Sequence, residues 1–239
     1  ARLDRLFRRG PTGLDALNKL LRAYVTDRGK IINETTLCES KNTQTPSAEM
    51  AMSWVNQVLD TKSRLDGVLA TSFKGDKSCE AAINEAMDTF INLNTRAPEF
   101  ISLYIDEHLR KGTRFADDTT ALEPVLDKTI TIFRYVHEKD VFERYYKMHL
   151  TRGRLHNRRA SDDAERSMIA KLKVECGHGY VQKLQGMLND MKLSEEVLRA
   201  FHHTLEREGT SLPLQPVSYT LLTLPTNTEV VISVVAGAC

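Results

Sequence analysis

Apolar residues recur every three or four positions along almost all of the first 206 residues, and this spacing constrains the fold more than any other feature. It gathers apolar side chains on one face of an α-helix, whereas a half-buried strand would need strict alternation. We therefore predict an all-α fold. The predicted helices cover about residues 11–32, 48–73, 83–91, 97–112, 119–155, 162–176, 180–191 and 195–206.

The longest predicted helix runs from about Thr119 to Leu155 and would be about 50 Å long at a rise of 1.5 Å per residue. Its apolar stripe comprises Leu122, Val125, Leu126, Ile130, Phe133, Val136, Val141, Phe142, Tyr145 and Leu150. A rod of this length suits a bundle or a repeat protein better than a small compact enzyme. We predict that the stripe forms one unbroken, stiff strut.

Polar residues and glycines predict where the helices begin and end. Residues 33–47 have the composition of a polar loop. Glycines favour helix ends, and serines favour helix starts. The predicted boundary signals are Ser47, Lys74-Gly75-Asp76, Ala97-Pro98, Gly112, Gly177-His178-Gly179 and Ser194.

Charge divides the chain near residue 212. Residues 1–212 hold all 33 basic residues and 31 of the 32 acidic ones, whereas residues 213–239 hold only Glu229. This tail is rich in β-forming residues, and its three prolines exclude a long helix. We predict that 213–239 is an irregular or disordered segment outside the helical fold, arising from a frameshift, misassembly or foreign sequence.

The composition is that of a soluble globular protein, with 41% hydrophobic and 27% charged residues and a net charge of +1. This balance gives no reason to expect a nucleic-acid or membrane partner. No stretch is long and apolar enough to cross a membrane, and the charged N-terminus lacks the core of a signal peptide. The four cysteines form no CxxC motif, so we expect a cytoplasmic or nuclear location.

No short motif predicts catalysis. The chain has neither a glycine-rich phosphate loop nor a Gly-x-Ser-x-Gly elbow. Carboxylates cluster at Asp140 with Glu143, and at Asp162, Asp163 and Glu165. Solvated helix faces and helix capping explain them better than acid–base chemistry, which needs one carboxyl in an apolar pocket. A helical hydrolase that uses these carboxylates is therefore the weakest functional hypothesis.

Cys176 and His178, with His202 and His203, match no usual zinc spacing. Adjacent histidines on a helix also point in different directions. We therefore predict no metal site and no other cofactor.

The basic run from Arg152 to Arg159 could grip phosphates, but its charges also suit the negative end of a long helix. Trp54, with Met50 and Met52, could line a groove for a partner. These three residues fall on an apolar helical stripe, so core packing is the preferred interpretation.

Longer stretches of the chain resemble one family. The segment IFRYVHEKDVFERYYKMHL at 132–150 closely resembles the most characteristic stretch of the cullin family. The family's order and spacing continue through SDDAE (161–165), MIAKLK (168–173), Cys176-Gly177 and KLQGMLNDM (183–191). Upstream, FINLNTRAPEF (90–100) and LRKG (109–112) are most similar to the cullin-3 type. The resemblance covers roughly residues 3–212.

The resemblance implies a non-catalytic scaffold of a cullin-RING ubiquitin ligase. Residues 1–112 resemble the end of the cullin-repeat stalk, and residues 113–212 resemble the start of the four-helix bundle. In the family, the first repeat binds the substrate adaptor, which for the cullin-3 type carries a BTB domain. A C-terminal region binds the RING-box protein, and a lysine in a final winged-helix domain accepts a ubiquitin-like modifier.

The chain also departs from the family pattern. The adaptor-binding repeat, the last bundle helix, the RING-binding region and the modified lysine have no counterpart here, so we predict no modification site and no strong binding of either partner. Gly153 and Arg154 stand where the family usually has Arg then Leu. Glycine costs a helix about 1 kcal/mol, and an arginine at an apolar position must reach outward, so either the rod ends early here or these residues are sequence errors.

Together these observations predict a scaffold segment that links a substrate adaptor to the RING module in ubiquitin-dependent degradation. No residue is predicted as catalytic, cofactor-binding or metal-ligating. The alternative is a generic helical interaction module, or a nucleic-acid-binding module that uses the basic run.

Overall fold

All regular elements in the described part of the chain are α-helices. The computed structural model describes residues 13–40, 47–110, 119–155 and 162–207. The helices are α1 (Gly13–Ser40), α2 (Ala48–Ser72), α3 (Lys77–Leu93), α4 (Ala97–His108), α5 (Thr119–Phe133), α6 (Lys139–Leu155), α7 (Asp162–Cys176) and α8 (His178–Arg207). The all-α prediction is confirmed. None of these helices combines the length and the hydropathy that a membrane crossing would need.

Contacts divide the chain into two compact units, and the division falls between Glu175 and Cys176. The predicted domain boundary near residue 112 lies in the segment 111–118, outside the described residues, and stays a prediction. The tail 213–239 also lies outside them.

In the first unit, three helices pack along the helix that lies two positions further on: α1 along α3, α2 along α4, and α4 along α6. This arrangement is typical of stacked helical repeats, in which each element contacts only its near neighbours. Large aromatic side chains fill the core between the helices, and the rings of Trp54 and Phe100 lie 5.7 Å apart. Trp54 and Met50 are buried, as predicted from the apolar stripe.

Helices α1 and α3 approach each other closely at Gly29. A Cβ atom added to Gly29 would lie 2.1 Å from Cγ of Phe90, whose ring is fully buried. Any side chain at this position would push the two helices apart, so the contact requires glycine.

Helix α1 runs to Ser40, so the predicted polar loop is wrong for residues 33–40. Asn33 is buried in this helix, and its Nδ2 donates to the carbonyl oxygen of Phe90 at 3.0 Å. Nε1 of Trp54 donates to Oδ1 of Asn33 at 2.8 Å. Because Phe90 lies in the last turn of α3, its carbonyl has no intrahelical partner, and Asn33 supplies one. Tertiary hydrogen bonds thus make a polar segment helical.

Several local boundary signals are confirmed. The side chain of Ser47 accepts from the backbone N–H of Glu49 and caps α2. Lys74 and Gly75 both adopt positive φ and end that helix, and Asp76 caps α3. Helix α4 ends earlier than predicted, at His108, and Gly112 lies outside the described residues.

Helix α8 is continuous from His178 to Arg207, so the prediction of two helices separated at Ser194 is wrong. Ser194 lies within the helix. Gly177 has a φ of 87° and separates α7 from α8. The predicted break is therefore confirmed at Gly177, whereas His178 and Gly179 already belong to α8.

The predicted single rod from Thr119 to Leu155 is also wrong. Helix α5 ends at Phe133 and α6 begins at Lys139, with residues 134–138 forming a bend that we call the elbow. The rings of Phe133 and Phe142 lie 4.7 Å apart. In one helix they would be two and a half turns apart, on opposite sides and about 13 Å away along the axis, so their contact requires the chain to turn. Helix α6 continues through Gly153 and Arg154 to Leu155, so the rod does not end early there.

Candidate functional site: the elbow between α5 and α6

The elbow is short and begins as a tightening of the last turn of α5. The N–H of Tyr135 donates to the carbonyl of Ile132 at 3.0 Å, and that of Val136 donates to Phe133 at 3.1 Å. These i→i−3 bonds are of the 3₁₀ type, which commonly ends an α-helix. The carbonyls of His137 and Glu138 accept from the N–H groups of Lys139 and Phe142, whereas the carbonyl of Tyr135 and the N–H of His137 find partners on another helix.

Three polar residues of α3 contact the elbow, and one of them, Asn92, bonds its backbone. Asn84, Asp88 and Asn92 are spaced four apart, are each half-buried, and form what we call the α3 stripe. Nδ2 of Asn92 donates to the carbonyl oxygen of Tyr135 at 2.7 Å, and Oδ1 of Asn92 accepts from the N–H of His137 at 3.0 Å. A single amide side chain therefore satisfies one backbone acceptor and one backbone donor of the elbow.

The other members of the α3 stripe hold the elbow's side chains. The imidazole Nε2 of His137 lies 2.8 Å from Oδ1 of Asp88, but these side chains are 66% and 40% exposed, so solvent screening keeps this contact weak. The hydroxyl of Tyr135 donates to Oδ1 of Asn84 at 2.7 Å. Burial raises the pKa of Tyr135, so the phenol stays protonated and keeps donating at neutral pH.

Helix α2 reaches the same place through Lys62. Its Nζ lies 2.7 Å from Asp66 and 3.4 Å from Oδ1 of Asn84. Burial lowers the pKa of Lys62, but the hydrogen bond to Asp66 and the interaction with Tyr135 outweigh it, and the net pKa is above its ordinary value. The lysine is therefore cationic, and α2, α3 and the elbow share one polar network.

The opposite side of the elbow is apolar. Phe133, Val136, Phe142 and Tyr146 are all buried, and the rings of Phe142 and Tyr146 stack with centroids 5.6 Å apart. The ammonium of Lys139 lies 5.5 Å from the centroid of Phe133, within the range of a cation–π contact. Polar bonds on one side and ring packing on the other fix the bend.

Helix α7 is attached to α5 by charge. Nζ of Lys171 lies 2.8 Å from Glu123 and 2.5 Å from Asp127, and Ser167 donates to Glu123. The hydrogen bonds from Lys171 and Ser167 lower the pKa of Glu123, and those to Asp127 and Glu123 raise the pKa of Lys171. Since Asp127 is 65% exposed, the network orients the helices more than it stabilises them.

The structure brings the predicted chemical clusters into no shared site. Across the ranges 13–40, 47–110, 119–155 and 162–207, no three His, Cys, Asp or Glu side chains converge as metal ligands would. His178 and His203 are exposed, and Cys176 is half-buried. These positions give no support to a metal site.

The carboxylate clusters behave differently from one another. Asp140 and Asp163 are exposed, as expected for solvated groups, and Glu143 is half-buried. Glu165 is fully buried, so the solvated interpretation is wrong for that residue.

The basic run meets acidic residues. Arg152 is exposed and lines a cavity of about 190 Å³ together with Asp106, Glu107, Arg110 and the buried His149. Two carboxylates beside two guanidinium groups give this cavity a mixed charge, which disfavours a phosphate backbone as its ligand. Arg158 and Arg159 lie outside the described residues.

The cullin family model, described as the cullin alpha solenoid domain, matches residues 1–198. The chain belongs to the cullin family. Similar curated proteins are cullin-3A of Arabidopsis thaliana, at 40% identity over 216 residues, and cullin-3 of Schizosaccharomyces pombe, at 44% over 202 residues. Cullin-3 of Dictyostelium discoideum is 38% identical over 215 residues.

These alignments cover 90%, 82% and 89% of this chain, but 28%, 26% and 26% of the respective relatives. The chain thus spans about a quarter of the length of the curated relatives it matches. The resemblance to the cullin-3 type is confirmed, and the α-helical stack described above is the expected solenoid.

Proposed function

We propose that this chain is a scaffold segment of a cullin-RING ubiquitin ligase, acting in ubiquitin-dependent protein degradation. In the complete protein it would hold a substrate adaptor with a BTB domain at a fixed distance from a RING-box protein and the ubiquitin-loaded enzyme that the RING-box protein recruits. Membership of the cullin family, with similarity to several proteins named cullin-3, carries this proposal.

The packing of the first unit supports a mechanical role. A scaffold promotes transfer by keeping two bound partners near each other, and the gain in effective concentration depends on a restricted range of separations. Every helix from α1 to α6 buries apolar side chains, and the elbow is held on both sides. The segment itself would perform no bond chemistry, bind no cofactor and take no modifier, and it would act in the cytoplasm or the nucleus.

A chimera tests the scaffold role. Residues 1–198 of this chain would replace the matching segment of Schizosaccharomyces pombe cullin-3, and adaptor-dependent ubiquitin transfer would be measured with purified partners. We expect transfer comparable to that of the parent. A matched chimera carrying Phe142→Asp, which places a charge in the buried ring cluster, should lose transfer while still binding each partner separately.

The result that contradicts the proposal is equally specific. If the unsubstituted chimera binds both partners and is folded by circular dichroism, yet transfers no ubiquitin, this segment does not serve as a spacer. Transfer that is insensitive to Phe142→Asp would show that rigidity of the segment is irrelevant.

A further inference from the structure

The elbow differs from an ordinary interhelical turn in how its backbone is held. Its five residues, 134–138, include no glycine and no proline. Two of its backbone hydrogen bonds come from Asn92, which lies on another helix and more than 40 residues earlier in the chain. Because water can replace these bonds at a half-exposed site, the bend can open without leaving buried polar groups unsatisfied.

The two helices that meet at the elbow are anchored unequally. Helix α6 packs extensively along α4, whereas α5 makes far fewer contacts with α2 and α4. Helix α5 is also linked to α7 by the partly exposed ion pairs of Lys171 with Glu123 and Asp127, which hold it weakly. An opening of the elbow would therefore leave α6 on the α1–α4 stack and let α5 move relative to it.

We propose that the elbow is a latent hinge about which α5 swings, and that Asn92 is the positioning residue that locks it. Asn92 is suited to this task because its amide matches the spacing of one carbonyl and one N–H of the elbow backbone, as a neighbouring strand would. Asn84 and Asp88 hold only side chains and contribute less. The inference concerns the conformation of this chain and holds whether or not the chain is a scaffold.

Hydrogen exchange read by mass spectrometry tests the lock on the chain itself. In Asn92→Ala, peptides covering 134–138 should exchange about three- to tenfold faster, the range expected for the loss of a hydrogen bond of ordinary net strength. Asn56→Ala is the matched control, because Asn56 accepts a hydrogen bond from Tyr104 between α2 and α4, away from the elbow. It should leave exchange at 134–138 unchanged.

Tyr135→Phe separates the backbone lock from the side-chain contacts. It removes the bond to Asn84 and keeps both bonds to Asn92. We expect exchange of the peptides covering 134–138 to stay at the level of the unsubstituted protein. Exchange as fast as in Asn92→Ala would overturn the assignment of the lock to Asn92.

Distance distributions test the motion. Spin labels on unnatural residues at the exposed positions Ala70 in α2 and Lys128 in α5 report on the hinge, and labels at Ala70 and Arg144 in α6 serve as the reference pair. In Asn92→Ala, the first distribution should broaden while the second keeps its width. Equal widths for the first pair with and without Asn92→Ala would refute the hinge, and broadening of both pairs would show general loosening instead.

Discussion

Substitution of Gly29 by alanine should destabilise the chain, although alanine is the better helix former. The new Cβ would lie 2.1 Å from Cγ of Phe90, whereas an ordinary contact begins at 3.4 Å. The ring is fully buried, so either it or the whole of α1 must move by more than 1 Å. Overpacking of this kind costs about 1–3 kcal/mol, occasionally more, and it opposes a gain of about 1 kcal/mol from helix propensity. We expect a net loss of up to about 2 kcal/mol.

Gly67 in α2 provides the matched control. It is exposed, and a Cβ added there would meet no atom within 4 Å. Gly67→Ala should therefore stabilise the chain by about 0.5–1 kcal/mol. The two substitutions are chemically identical and differ only in the neighbouring ring, so opposite signs would assign the effect to Phe90.

The assay is urea unfolding followed by the fluorescence of Trp54, the single tryptophan, which is buried in the same unit as both glycines. The midpoint should move down for Gly29→Ala and up for Gly67→Ala at unchanged slope. Replacing Phe90 by alanine as well should cost less than the sum of the single substitutions, because it removes the clash. Stabilisation by Gly29→Ala alone would refute the close approach of α1 and α3.

Three further substitutions test the polar contacts. Asn33→Ala should lower the free energy of unfolding by about 2–4 kcal/mol, because it leaves both Nε1 of Trp54 and the buried carbonyl of Phe90 without partners. A loss below about 1 kcal/mol, measured by urea unfolding, would contradict this. Lys171→Met should cost no more than about 1 kcal/mol. The hydrogen bond from Lys171 lowers the pKa of Glu123, so the stability lost in Lys171→Met should be seen above pH 4.5 and vanish as the pH falls below this value. The loss should also shrink in 1 M salt, and a salt-independent loss would contradict the network. Burial lowers the pKa of His108, so the unfolded chain takes up the proton first and the free energy of unfolding should fall as the pH drops below 6.5. His108→Gln should make the free energy of unfolding depend less on pH between about 7.5 and 5.5. An unchanged pH dependence would assign it to other groups.

Features decided by local chemistry could be predicted from the sequence. The cap at Ser47 and the turn at Lys74-Gly75 need only a hydroxyl before a helix or residues that tolerate positive φ. The buried stripe of α2 likewise follows from its spacing. Asn33 could not be placed this way, because its helical state depends on Trp54 and on a carbonyl of α3.

No glycine or proline marks the elbow in the sequence, but the apolar residues before and after it fall on different faces of a continuous helix. Phe133 and Phe142 would face opposite sides of a continuous helix, so a single stripe could not bury both. That phase change is a signal the sequence does contain. The α3 stripe has no comparable signal, because Asn84, Asp88 and Asn92 look like an ordinary solvated helix face until the elbow lies against them.

Phase alone would still have misled, as α8 shows. Its N-terminal half buries Val181, Leu184, Met187 and Met191, whereas its later apolar residues, Leu193, Val197 and Phe201, are 62%, 61% and 41% exposed. The stripe changes face here too, yet the helix is continuous. A change of phase therefore shows that a single face of a straight helix cannot bury all the apolar residues of the segment. It does not show whether the chain bends.

At the elbow, another helix offers partners for the backbone. A helix can stop in mid-chain only where its released N–H and C=O groups find new acceptors and donors. At the elbow, Asn92 offers one of each, and ring packing across Phe133 and Phe142 compensates for the lost turn. The stiffness expected of a single strut can then be recovered by cross-bracing, since a bend fixed from a neighbouring helix resists rotation as long as the brace holds. Rigidity at the elbow would then depend on Asn92, which lies outside the two helices, as well as on the ring packing within them.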